Sequence, residues 1–499
     1  MEALPRKFRH TGRASGWALA VLTASVLIPG ARAAAIRVPG DVPSIQEGIA
    51  RAADSDEIVV APGIYTLSSP LDFLGKAVRV VSEEGPERTK LQRKVVDTRG
   101  SVVAFTRGEG GNSRLEGFTI TGGSGSSLGA AVVGGGIICT QGSGPTLVNL
   151  AVVGNRAQYG GGLYCAASSP TLIDCSLSWN HVTCGGGAFL EASNPQFIRC
   201  RIEGNRASYA SSGVHSKDGS SPLLDRCRIL GNTTYYGGGV DSFQSHPRLV
   251  NCIIAGNKAA EGGGAYVASD SGMSFVHCTV AFNVADTGWG VRSLAPGERV
   301  SLVNSILLDP RPATSPILTL NSIVNVDPRF VFAGEYDFTR FRTAAFGGES
   351  LTVPDFVVRA PDFRLRPDSP AVDAAYGESA PAVDIDGIPR PQGRRADVGA
   401  HELTPPPGPF RRGDANSSGT VDIADAVALL LDLAGGFASG LPCESAADAN
   451  DDGRVDVSDP IFLLRALFLS GPLPPPPAEC GYDPTPDDLA CAAFPICLD

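Results

Sequence analysis

The feature that most restricts this chain is a repeat of about 25 residues across its middle. Aligned on proline, copies start at Pro145, Pro170, Pro195, Pro222 and Pro247, with a degenerate sixth from Met273. The third copy is longer, at 27 residues. Each copy holds short β-branched runs, one Asn and a Gly cluster, and none is long enough for a stable helix. Short strands and tight turns at this period make one coil of a parallel β-helix. One coil cannot bury its own apolar face, but stacked coils can, with strands roughly 4.8 Å apart.

The columns of the repeat agree. Asn155, Asn180, Asn205, Asn232, Asn257 and Asn283 share one position. Stacked Asn side chains hydrogen-bond along a solenoid, and Asn tolerates left-handed backbone. Gly triplets at 160–162, 185–187, 237–239 and 262–264 mark turns with positive φ or close backbone approach. Cys175, Cys200, Cys227, Cys252 and Cys278 sit in apolar runs and read as a buried thiol column. Their parallel Cβ vectors disfavour bridges between stacked neighbours.

Ahead of the repeat, Arg6, Lys7, Arg9 and Arg13 precede an apolar run from Trp17 to Ile28 and an A-x-A site at Ala31-Arg32-Ala33. This is the form of a signal peptide over 1–33, too short for a membrane span, and no later segment is long and apolar enough to cross. Its removal leaves 36 basic against 51 acidic residues, a net of −15. Such a surface repels nucleic acid and anionic lipid. The expected location is extracellular or on the cell surface.

The opening, Ile36-Arg-Val-Pro39 through Ala61-Pro-Gly-Ile-Tyr65, and the repeat together resemble the right-handed parallel β-helix superfamily, which includes pectate lyases. The resemblance covers roughly residues 36–330. It implies a mainly β right-handed solenoid over 34–325, closed at its N-terminal end by a short amphipathic helix. Fold alone does not carry activity. Residues 326–403, with Asp362-Phe-Arg-Leu365 and Asp397-Val-Gly-Ala-His-Glu402, resemble the terminal segment of secreted bacterial β-helix proteins and are expected to cap the solenoid's C-terminal end.

A Pro-rich linker, 404–412, leads to a small module over 413–499. Two stretches there match a calcium loop at positions 1, 3, 5, 6, 9 and 12. The first offers Asp414, Asn416, Ser418, Asp422, Asp425 and the Thr420 carbonyl; the second offers Asp448, Asn450, Asp452, Asp456, Asp459 and the Arg454 carbonyl. Gly419 and Gly453 permit the sharp turn, and an all-oxygen cage suits Ca²⁺. Asp at position 12 and an apolar helix after each loop resemble the type I dockerin family. That resemblance implies a small all-α domain, two Ca²⁺ ions and a cohesin-like partner, with recognition at Ile423/Ala424 and Val457/Ser458. A calcium-stabilised anchor without a cohesin is the alternative. Cys443, Cys480, Cys491 and Cys497 allow three disulfide pairings.

Strand alternation gives a candidate site. After each Gly cluster Leu163, Ala188, Val214, Val240, Ala265 and Val291 point inward, so Tyr164, Phe189, His215, Asp241, Tyr266 and Arg292 point outward. Two residues on, the same face adds Glu191, Lys217 and Phe243. Aromatic faces suit sugar rings, and the cluster falls where Ser211-Ser212 replace two glycines. Glu191 and Asp241, roughly 9–10 Å apart, sit near the upper separation for an inverting hydrolase. A lyase would use Lys217 or His215 as base and Arg292 against a uronate carboxylate. The alternative is a solvated face of mixed charges, which the absence of a complete catalytic motif favours. Elsewhere, Arg199, Arg201, Arg226 and Arg228 offer a grip for an acidic polysaccharide, or pair with Asp174, Glu203 and Asp225. Two functions follow: an extracellular polysaccharide hydrolase or lyase, and a non-catalytic surface or adhesion rod.

Overall fold

The computed structural model describes residues 34–93, 99–294, 299–308, 317–346, 349–376, 380–404, 410–435, 441, 443–481, 489, 491, 494 and 497. The signal-peptide segment and most of the Pro-rich linker lie outside them. Three parallel sheets form the solenoid. The first has 12 strands, from Ala35–Val38 to Leu318–Leu320; the second has 11, from Gly63–Leu67 to Ile323–Val324; the third has nine, from Leu71–Asp72 to Val291–Ser293. Successive coils add strands to each sheet in register, as in Thr146–Val148 on Thr171–Ile173. The chain is therefore a mainly β solenoid followed by a small helical region.

One continuous core fills the solenoid, and every inward residue predicted after the Gly clusters belongs to it. At its N-terminal end helix α1 (Ile45–Arg51), capped by Ser44, buries Ile45 and Ile49. The Asn column forms an unbroken ladder. Each Nδ2 donates to the Oδ1 of the next Asn, at 3.2 Å for Asn155–Asn180 and 2.9 Å for Asn257–Asn283. Each Nδ2 also donates to a backbone carbonyl of the preceding coil, as from Asn205 to Leu177 O. The ladder residues do not take the left-handed backbone that Asn tolerates; the residue before them does, at Gly154, Trp179, Gly204, Gly231, Gly256 and Phe282. The five thiols are free and buried, and each donates to a carbonyl of the coil before it, as Cys227 does to Phe197 O at 3.3 Å. Gly160 has φ 68°, and a Cβ on Gly213 would lie 1.9 Å from Gly239 O, so both glycine roles are present.

Residues 326–403 do not lie across the last coil as a cap. Phe330, Phe363, Leu365, Val398 and Ala400 pack on Ile253, Ala255, Ala281 and Ile306, which face outward from the second sheet. Leu318 and Leu320 of the last coil stay exposed. The reason is an apolar flank: the outward positions Ser176, Arg201 and Arg228 of earlier coils become Ile253 and Thr279 in later ones. The segment is pinned there by Asn251 Nδ2 to Val383 O at 2.8 Å and by the Ala400 N–H to Thr279 Oγ1 at 3.1 Å, while the buried Arg390–Glu402 pair at 2.9 Å holds the segment to itself.

Candidate active site on the third sheet

Register builds the site. Tyr164, Phe189, His215, Asp241 and Tyr266 stand side by side on successive strands, as do Ala166, Glu191, Lys217 and Phe243. Facing them is a second column in the preceding turn: Tyr159, Cys184, Ala210 and Tyr236. The two small residues between the tyrosines leave a hollow. The hairpin of Ser126–Leu128 and Ala131–Val133 adds a further wall. The result is a cleft of about 710 Å³.

The long third copy shapes this cleft at both of its extra residues. Partners along the solenoid are His181↔Arg206, then Cys184↔Ala210 after a bulge, and finally Gln196↔Leu223. The bulge lies in Arg206–Ala210 and turns Tyr209 outward; the second insertion falls beside Asp218. Tyr209 and Asp218 both line the cleft. Alternation counted after the Gly clusters could not find Tyr159, Tyr209, Cys184, Ala210 or Asp218, because they lie before the clusters or beyond the ends of those strands. The 27-residue spacing was the signal available.

Inside, His215 Nδ1 lies 2.7 and 2.8 Å from the two carboxylate oxygens of Asp241. Asp241 is fully buried, and burial pushes its carboxyl above the usual range although His215 pulls it down. Phe189 and Phe243 flank the imidazole at ring separations of 4.7 and 6.0 Å. Lys217 Nζ is 3.0 Å from Glu191 and 2.9 Å from Asp218. Burial opposes its charge, but those two carboxylates outweigh it and hold the ammonium above its ordinary range. The Tyr164 hydroxyl donates to Glu191 at 2.9 Å; burial and then Glu191 keep the phenol protonated well above its usual range.

His215, Lys217, Glu191, Tyr164, Phe189 and Phe243 thus meet in one cleft. Asp241 and Tyr266 stand behind it, Tyr266 against Phe243 and Tyr236. Arg292 lies outside the cleft lining and pairs with Glu261 at 3.4 Å. Glu191 and Asp241 do not face one another across the cleft as an inverting pair would, because Asp241 is sealed beneath His215. The four arginines do not make one open column either. Arg199 and Arg226 sit in turns at φ 52° and 53°, while Arg201 and Arg228 pair in the second sheet. Each is neutralised: Arg199 by Asp174 at 2.7 Å, Arg201 by Glu203 at 3.1 Å, Arg226 by Asp225 at 3.0 Å and Arg228 by Asp386 at 2.7 Å.

In the C-terminal region helix α2 (Ile423–Leu433) and helix α4 (Ser458–Phe468) pack through Leu429 and Leu463, with helix α3 (Glu444–Ala447) between them in the chain. Cys443 pairs with Cys491 and Cys480 with Cys497. The two acidic loops repeat one geometry. Asp414 accepts from the N–H of Ser418 and Gly419, and Asp448 from those of Asp452 and Gly453. Asp425 accepts from Asn416 and Asp422, and Asp459 from Asn450 and Asp456. Burial, reinforced by neighbouring carboxylates, pushes Asp425 and Asp459 up to about 6. Asn416 Oδ1 is buried with no hydrogen-bond partner among the described residues. Converging oxygens with one acceptor unsatisfied fit a hard cation. Among the described residues no three carboxylate, His or Cys side chains are already drawn around a common point. Ile423, Val427, Leu431, Ile461 and Phe468 leave apolar surface exposed on α2 and α4. No helix among the described residues is long and apolar enough to cross a membrane.

No curated protein matches the chain. Among solved structures, pectate lyase Pel9A aligns at 14% identity over 75% of this chain and 97% of that one, with a TM-score of 0.40. An alginate lyase from Paenibacillus sp. str. FPU-7 aligns at 11% identity over 56% and 96%, TM-score 0.31. The Dettilon tailspike protein aligns at 12% identity over 58% and 68%, TM-score 0.30. Residues 100–293, which contain the whole cleft, match the family model described as right handed beta helix region.

Proposed function

We propose that this chain is an exported, carbohydrate-active β-helix protein that binds an acidic polysaccharide in the third-sheet cleft and cleaves it by β-elimination. The observation that carries this reading is the His215–Asp241 pair among aromatic side chains. Asp241 holds Nδ1 of the imidazole and leaves Nε2 as the base. Nε2 removes the proton α to a uronate carboxyl, the carbon–oxygen bond to the leaving sugar breaks, and a C=C bond forms. The proton passes from the imidazolium to the departing oxygen. Lys217, held protonated, faces the substrate carboxylate and is not the base. Phe189 and Phe243 hold sugar faces, while Tyr164 fixes Glu191.

The C-terminal region we read as a module that holds two Ca²⁺ ions through Asp414, Asn416, Ser418, Thr420, Asp422 and Asp425, and through Asp448, Asn450, Asp452, Arg454, Asp456 and Asp459. Its exposed helix faces suit a cohesin-like partner. Support comes from the repeated loop geometry and the orphaned Asn416 oxygen.

The test is a 235-nm absorbance and reducing-end screen of the mature protein with calcium, on neutral, uronic and sulfated polysaccharides. Absorbance gain lost in His215→Ala is expected. Reducing ends without absorbance would make it a hydrolase. Binding without turnover would make the cleft a recognition site on a rigid rod.

A further inference from the structure

Beyond the ridge of Arg206–Ala210 lies a second hollow, of about 370 Å³, that the cleft chemistry does not use. It arises from the ladder itself. The residue after each ladder Asn stacks on its neighbour: Arg156 on His181, His181 on Arg206, Arg206 on Thr233, Thr233 on Lys258. Successive coils therefore set cationic and hydroxyl side chains in one line, roughly 4.8 Å apart. His181, Arg206, Ser208, Thr234, Tyr235 and Phe341 line the hollow, and no acidic side chain among the described residues does. The Arg206 guanidinium lies 5.5 Å from the Phe341 ring centre. Thr234 Oγ1 has no hydrogen-bond partner among the described residues. Burial, then the charges of Arg206 and Arg156, pull His181 below its ordinary range, so the field here favours an anion.

The two hollows are joined by rings. Tyr235, 51% exposed, contacts Tyr236 at 4.5 Å, and Tyr236 contacts Tyr209 at 5.6 Å. Tyr209 lines the cleft. We infer that this shelf is a second sugar-binding site, which takes an anionic unit of the same polysaccharide chain that occupies the cleft. Arg206 receives its carboxylate or sulfate and Tyr235 its apolar face. The inference rests on the cleft being a glycan site, and it makes acidity at a distance from the scissile bond a condition of tight binding.

The experiment is calorimetric titration of the full chain with calcium against three probes: hexagalacturonate, a sulfated carrageenan hexasaccharide and cellohexaose. Digalacturonate serves as the short control. An acidic hexasaccharide binds, and Arg206→Gln weakens it about tenfold while leaving digalacturonate unchanged. Tyr235→Ala weakens it several-fold, and Arg206→Lys recovers part of the loss. The better acidic probe distinguishes carboxylate from sulfate. The idea is sunk if Arg206→Gln and Tyr235→Ala both stay within twofold of wild type while Phe189→Ala weakens binding; the cleft reading then survives alone. Loss in Arg206→Gln with none in Phe189→Ala would remove the cleft reading and with it the shared chain. Equal affinity for cellohexaose overturns the charge requirement, and no binding to any probe overturns both readings.

Discussion

The Asn ladder of the solenoid and the acidic loops of the C-terminal module handle buried amides in opposite ways. In the ladder each buried Asn finds its partner one coil away. Asn205, for example, donates to Leu177 O and Asn232 Oδ1, while its own Oδ1 accepts from Asn180. In the module, Asn416 Oδ1 has no partner among the described residues, and Asp425 and Asp459 are held up at about 6 by burial and neighbouring carboxylates. Repetition lets a ladder satisfy itself; the single loop around Asn416 has no neighbouring copy to supply the missing donor. The contrast teaches where to look for ligands: at groups the fold brings together without satisfying.

That contrast can be broken most sharply by calcium removal. Calorimetry in excess chelator should show the module's transition collapsing while the solenoid's stays in place. The expected loss is about 4 kcal/mol per site when the ion had been a thousandfold above its dissociation constant. A module melting alike with and without calcium would end the ion reading. Next comes Asn205→Leu, which strands several buried groups and should cost the solenoid about 3–5 kcal/mol in urea unfolding. A cost below about 1 kcal/mol would mean that the ladder is decorative.

The flanking segment is an intermediate case, because it buries charges that pair with one another. Asp397, pushed up to about 6 chiefly by burial, holds a proton that the unfolded chain has already lost. Stability should therefore be fullest below about pH 4 and fall as pH rises through 6, by up to about 3 kcal/mol. Asp397→Asn should flatten that slope in denaturation series taken across the window. A smaller change in stability, about 1–3 kcal/mol, is expected for Ala210→Tyr, which enlarges a buried side chain that borders the cleft. It restores the tyrosine that Tyr159 and Tyr236 place in this column, fills the hollow and should abolish glycan binding. Retained binding would move the site elsewhere.

Much of this was legible in the sequence because a coil's inward and outward positions alternate by rule. The core columns, the Asn ladder, the buried thiols and the meeting of His215 with Asp241 follow from period and alternation alone. Other features obey no such rule. Tyr159 lies outside the three sheets, and Tyr209 lies in the strand Arg206–Ala210, where direction depends on a bulge. The Ser143, Ser168, Ser193, Ser220 and Ser245 hydroxyls form a second ladder that the proline alignment placed in one column without revealing its bonds. The fate of residues 326–403 was written in the flank, at Ile253 and Ala281, rather than in the segment itself. The charge on Arg228 was cancelled by Asp386, 158 residues away, which no local reading reaches.

The bulged third copy carries a wider consequence. Its two added residues leave the inward column undisturbed: Val214 packs between Ala188 and Val240 as though nothing had been inserted. The interior therefore keeps count of coils, while the rim is free to vary in length. A recognition surface on such a molecule is addressable, one coil at a time. Transplanting the longer rim to the fourth copy should shift the cleft by one coil along the axis without a new core having to be found.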